Sequence, residues 1–221
     1  MILAELHPRI IETNEWIVVV FLVSFFLIAV LKNNFEKQFF DFIKLFISSK
    51  YLKIYRDESQ LKTIFTVILF LVNLLSTAFF IQLIAEYLKI TTKTDGVFFI
   101  KTTTFLLVFI LVKFLIEKII GTLSDTEELI NIINLQKITY RGYIGLLLLP
   151  ILLILFFNKS LPNSLIWYLI VLFLIANLLV YVILLRKHQN ELFRKMFYFI
   201  LYLCTLEIAP YYFLYYLVSK K

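Results

Sequence analysis

The sequence predicts an all-α fold: a polytopic membrane helix bundle with about six transmembrane helices and one cytoplasmic amphipathic helix. Composition is the first reason. Of 221 residues 62% are hydrophobic and 17% charged, and the mean hydropathy is +0.91. Soluble domains are about half apolar and roughly a quarter charged. The second reason is grouping, because the apolar residues fall into runs near the ~20 residues that cross a ~30 Å hydrocarbon core. The third is periodicity. The runs are built from Phe, Leu, Ile and Val without two-residue alternation, the pattern of helices and not of a lipid-embedded barrel.

Six runs meet or approach that length: residues 16–31, 63–88, 97–120, 140–157, 163–185 and 196–218. The first is preceded by Glu5, Glu12 and Glu15 with Arg9, which is not a basic leader, and no small-residue cleavage site follows it. It therefore reads as a retained span and not a signal peptide. The fourth and fifth, separated by "NKSLPNS", read as a tight helical hairpin. Pro150 in "GLLLLPILLIL" marks a kink in the fourth, where Gly142 and Gly145 permit close helix approach. The whole chain forms one integral membrane domain.

An even number of spans places both termini on one side. Lys and Arg are twice as frequent on the opposite side, in 32–62, 118–141 and 186–195, which the positive-inside rule assigns to the cytoplasm. Both termini are then periplasmic in a bacterial inner membrane. The net charge of +7 sits in these flanks, where it orients the chain and attracts anionic headgroups, so membrane lipids and not nucleic acid are the expected partners. Trp16, Trp167, Tyr211, Tyr212, Tyr215 and Tyr216 suit an outer aromatic belt.

The segment 33–58 has a helical stripe of its own: Phe35, Phe39, Phe42 and Phe46 recur at i, i+4, i+7 and i+11. The expectation is an amphipathic helix lying on the cytoplasmic membrane face with the rings down. Packing beneath the bundle and docking of a partner are the alternatives. In the next cytoplasmic segment, "GTLSDTEELINIINLQKITYRG", Ser124 or Asp125 is placed to cap a short helical elbow. His188, in "RKHQN", belongs to a solvated basic loop.

Candidate functional residues are the polar ones where lipid is expected. Glu207 lies about eleven residues into the last run, roughly 16 Å deep at 1.5 Å per residue. An acid at that depth costs about 2.5–3.5 kcal/mol on insertion scales, so it faces protein or water. Pro210 leaves the Leu206 carbonyl without its intrahelical donor and kinks the helix beside it. Asn73, Lys113 and Asn177 lie at similar levels of other runs, with Glu117 one turn beyond Lys113. Lys113 and Glu207 are expected to face each other, with Asn73 or Asn177 completing their hydrogen bonds; snorkelling of Lys113 to the headgroups is the alternative. Catalytic constellations are not read. Cys204 is the single cysteine, the two histidines lie far apart, and no HExxH motif or serine elbow occurs. The expectation is a non-enzyme without cofactor or metal.

"YLCTLEIAP" at 202–210, with the Lys113-bearing run and "GLLLLPILLIL" after Arg141, resembles a family of polytopic membrane proteins of Bacteroidota with no assigned function. The resemblance covers nearly the whole chain. It implies an inner-membrane location and weight for Cys204, Glu207 and Pro210, without assigning a reaction. Two functions stand: a subunit or assembly factor of a cell-envelope complex, with other envelope membrane proteins as partners, or a small transporter or proton-coupled carrier using the Lys113/Glu207 layer.

Overall fold

The structure, a computed structural model, describes residues 15–46, 63–123, 127–158 and 163–194. The expected last span, with Cys204, Glu207 and Pro210, lies outside the described residues, as do 47–58 of the amphipathic segment. What is described is helical: α1 (Glu15–Asn34), α2 (Glu36–Ile43) running into a 3-10 turn (Lys44–Phe46), α3 (Ile64–Tyr87), α4 (Gly96–Leu123), α5 (Glu127–Phe157) and α6 (Asn163–Arg194). Four of these are long and apolar enough to cross a membrane: α1, α3, α5 and the Ser164–Leu184 part of α6. The third expected span coincides with α4, which carries Lys101, Lys113, Glu117 and Lys118 along its length.

Two expected breaks prove to be continuous helix. The short elbow and the fourth span are a single 31-residue helix, α5. Likewise α6 continues through "RKHQNELFR", where the sequence reading placed a loop around His188. In both cases the added residues are helix formers such as Leu, Glu, Gln, Lys and Arg, with no Gly or Pro to stop propagation out of the apolar run.

Helix α3 is the centre of the bundle. Phe65, Leu69, Val72, Phe79 and Leu83 along it are buried, and its most extensive neighbour is α5. Helix α3 is buried along most of its length, with Ile64 and Val67 exposed near its start, and packs against α1, α4 and α5. Rings fill the interior at one end. Phe21 of α1 stacks on Phe79 with centroids 4.2 Å apart, and Phe156 of α5 meets both edge-on, arrangements the aromatic quadrupole favours. Helices α4 and α6 are peripheral, presenting Ile100, Phe105, Leu115, Leu172 and Leu178 outward.

That same end of the bundle gathers the start of α1, the α3–α4 connection and the end of α5. Trp16 Nε1 donates to the Thr94 carbonyl at 3.0 Å, and Lys93 Nζ donates to the Asn158 carbonyl at 3.0 Å. The connection is held by specific bonds. Asp95 caps α4, accepting from the Val97 and Phe98 amides at 3.0 Å each. Gln82 Nε2 donates to the Thr92 and Asp95 carbonyls. Asp95 also accepts from Thr91 Oγ1 at 2.9 Å, and these donors hold its carboxyl below the ordinary value of 3.8, the Phe98 amide having the largest effect.

At the opposite end, α2 corrects the sequence expectation of a membrane-surface stripe. Phe39 and Phe42 are buried against protein, not laid on lipid. Phe42 sits edge-on to Phe65 of α3 and to Tyr143 of α5, while Phe35 meets Phe65 in the same manner. The reason is connectivity. A single residue, Phe35, separates α1 from α2, so α2 turns directly under the bundle, where other rings offer defined edge-to-face partners. Phe40 and Ile43 are the apolar side chains that α2 leaves exposed; the side chain of Phe46 lies outside the described set.

Candidate functional site: a charged cleft beside a closed seam

The contact between α3 and α5 is a close seam. A Cβ on Gly145 would stand 2.8 Å from the Asn73 Cα, and one on Gly142 would run into the Leu69 side chain. Ser76 Oγ donates to the Gly145 carbonyl at 2.8 Å across it. This is the close approach that the two glycines predict, and it needs both of them as glycine. Pro150 lies within α5, with helix continuing on both sides.

One turn or more toward the N-terminus of α5 the character changes. There α3, α4 and α5 enclose a cleft of about 360 Å³. Its polar lining is Thr66 and Asn73 from α3, Lys113 and Glu117 from α4, and Asn134, Lys137 and Arg141 from α5. Phe70, Leu71, Ile110 and Phe114 supply apolar wall. Three of the sequence candidates, Asn73, Lys113 and Glu117, thus share one site.

The dominant contact within it was not read from the sequence. Lys137 Nζ donates to Glu117 Oε1 at 3.2 Å, with the two side chains 9% and 4% exposed. The sequence reading had assigned Lys137 to a cytoplasmic segment and placed Glu117 one turn beyond Lys113 in the third run. Both are buried, because the elbow is the first part of a continuous α5 that pairs antiparallel with the end of α4. An acid and a base on the two arms of one helical hairpin was the available signal. Lys118 and Glu127, nearer the turn, approach at 3.9 Å but are about half exposed, a contact of little energetic weight.

Arg141 reaches the other way. Its Nη2 donates to the Tyr181 hydroxyl of α6, and its guanidinium lies 5.4 Å from that ring's centroid, so it joins the cleft to α6. Asn134 is 4% exposed, and its Nδ2 has no hydrogen-bond acceptor among the described residues. Asn177, expected in the same polar layer, is not part of the cleft: its Nδ2 donates to the Phe173 carbonyl one turn back on α6, at 2.9 Å. Glu207, the expected partner of Lys113, lies outside the described residues.

Among the described residues, the cleft's carboxylate, Glu117, accepts from Lys137 Nζ, and the rest of the polar lining consists of cations, amides and one hydroxyl. No curated protein and no solved structure matches the chain. Residues 17–218 match the family described as Domain of unknown function (DUF4271), and by that match, which takes in all six helices described above, the chain belongs to the DUF4271 family.

Proposed function

We propose that this chain is a non-enzymatic multi-pass protein of the inner membrane of a Bacteroidota bacterium, with both termini periplasmic. Its role is that of a subunit or assembly factor of a cell-envelope complex, lineage-specific secretion or gliding machinery being the natural setting. The observation that carries this reading is the unequal layout of the bundle. The α3–α5 seam is closed by Gly142, Gly145 and Ser76, while the charges collect toward one end, at Glu117 and Lys137. Carriers place their site near the midplane between elements that rock apart, often at broken helices. A locked seam with charge at one end suits a fixed component better.

The test is purification in a mild detergent from the native host, followed by identification of co-purifying proteins. Stoichiometric envelope proteins are expected with wild type. A carrier is the second reading, favoured by the extension of the cleft from Glu117 to Asn73 along the inner face of α3. Solute uptake into proteoliposomes of the chain alone, abolished by Lys113→Gln or Glu207→Gln, would replace the first reading by the second.

A further inference from the structure

Helix α4 buries side chains only toward its two ends. Near its start Phe99 is buried, its ring 5.1 Å from that of Trp16 and 4.7 Å from that of Phe79. Near its end Glu117 is held by Lys137, and Gly121 admits the backbone of α5, where a Cβ would stand 3.3 Å from the Glu127 Cα. Residues 100–116 between them, about 25 Å of helix, contain no buried side chain. The cleft lies under the second half of this stretch, so α4 crosses it as a strap crosses a gap. The surface facing the cleft is mostly hydrocarbon, although several of its side chains end in polar groups. The charged ends of Lys137 and Arg141 are turned to Glu117 and Tyr181, and Phe70, Leu71, Ile110 and Phe114 complete the wall. At the rim, Val67 of α3 and Leu111 of α4 are 49% and 47% exposed. Ile64 and Leu115, one turn away on the same helices, are exposed as well, so the mouth is continuous with the apolar outer surface of the bundle.

We propose that the cleft takes up an acyl chain of a bilayer lipid, entering sideways between Val67 and Leu111 while the headgroup stays outside. The proposal rests on the reading that the chain resides in a membrane and is independent of whether it assembles with other proteins. At a mouth that opens onto the outer surface of a membrane bundle the surrounding medium is hydrocarbon. A void of about 360 Å³ left empty there would forfeit dispersion contacts along its whole wall, and a hydrocarbon chain restores them without displacing any polar contact. The volume falls within the ~300–1,000 Å³ of small-molecule sites. A polar solute would have to pass the apolar lips and would then meet a wall that offers it little.

The experiment is native mass spectrometry of the full chain in neutral detergent, supplied with equal dioleoyl phosphatidylglycerol and dioleoyl phosphatidylcholine. A retained lipid is expected, with the two headgroups within about fivefold of each other, the scale of exposed charge contacts. Leu111→Trp plugs the mouth without touching a charge or a buried side chain and should lower retention about tenfold. Leu115→Trp makes the same change one turn along α4, outside the cleft, and should leave retention as it is. Val67→Trp, on the opposite lip, keeps the test alive if Leu111→Trp does not fold. Equal retention in the plugged variants and in Leu115→Trp overturns the proposal. A headgroup preference well above tenfold also overturns it, by making the site one for a headgroup. Failure of wild type to retain lipid does the same, and a disulfide between Leu111→Cys and the native Cys204 would then name the chain's own C-terminal segment as the occupant. Release of the chain from membranes by alkaline carbonate would instead sink the membrane reading beneath it.

Discussion

Helix α5 meets its two neighbours in opposite ways. Against α3 it brings Gly142 and Gly145, so that backbone nearly touches backbone and Ser76 bonds directly to the Gly145 carbonyl. Against α4 it brings Lys137, buried and bonded to Glu117. The first contact is made by removing side chains and the second by pairing charged ones. The difference teaches what each has to overcome. Apolar helices in lipid gain little from hiding apolar surface, so α3 and α5 adhere through close packing and a hydrogen bond. Helix α4 buries little besides Phe99, Glu117 and Gly121, and an ion pair ties it down where packing does not. A seam of this kind tolerates almost no added volume; a charged contact tolerates volume but not the loss of one partner.

The largest effect should come from the charged contact. Lys137→Met leaves Glu117 buried without its cation and should cost about 3–5 kcal/mol, the range for breaking a buried pair. Glu117→Gln should cost a similar amount, whereas the double variant should recover part of the loss because the pair is removed together. Reversible unfolding in mixed micelles by SDS titration reads all three. If the double variant is as unstable as the worse single one, the pair is not the tie that holds α4.

The seam should respond next. Gly145→Ala puts a methyl against the Asn73 backbone, which cannot rotate away, and should cost about 1–3 kcal/mol as overpacking does. Gly142→Ala meets the branch point of the fully buried Leu69 side chain, which has to shift as a whole, and should cost a comparable amount. The same titration compares them, and a near-neutral Gly142→Ala would mean that Leu69 repacks freely.

How much of this contrast was legible in the sequence follows from the physics of each contact. The all-helical class and four of the spans rest on run length and composition, which local sequence carries directly. The glycine seam was also legible, since two glycines three residues apart in an apolar run have few other uses. The ion pair was not. Its register depends on α5 being one helix from Glu127 onward, whereas the sequence around 124–139 reads as a short elbow separate from the span that follows. For the same reason Lys137 was counted with solvent. The Phe35–Phe39–Phe42 stripe was seen, but not which surface it meets, because a membrane and a protein underside offer an amphipathic helix similar apolar burial. Asn73, Lys113 and Glu117 of the expected polar layer line one cleft, whereas Asn177 bonds back to its own helix, since a depth ruler says nothing about which way a side chain points.

A smaller effect tests the end of the bundle where neither contact lies. Asp95 is held below its ordinary carboxyl value by the Phe98 and Val97 amides and Thr91. A depressed folded-state pKa contributes stability that is fully present above the unfolded value, 3.8, and is lost as pH falls through the lowered one. Thermal unfolding in detergent should therefore lose a component in acid below about that value, and Asp95→Asn, which can still cap α4, should lack it. An identical acid profile in the variant would assign the loss to other carboxylates.

The smallest expected change is a gain. Helix α3 ends in a Schellman-type turn, the Ile90 amide donating to the Ala85 carbonyl and the Lys89 amide to that of Glu86, both at 2.9 Å. Lys89 is thereby held at φ 57°, the left-handed region, which costs an L-residue roughly 1–2 kcal/mol. Glycine adopts that conformation without the Cβ penalty but loses more freedom on folding. Lys89→Gly should accordingly stabilise by a net ~0.5–1 kcal/mol, visible as a slightly higher SDS midpoint, while leaving both α5 contacts untouched. Destabilisation instead would mean that the lysine side chain contributes more at this end of the bundle than its backbone strain removes.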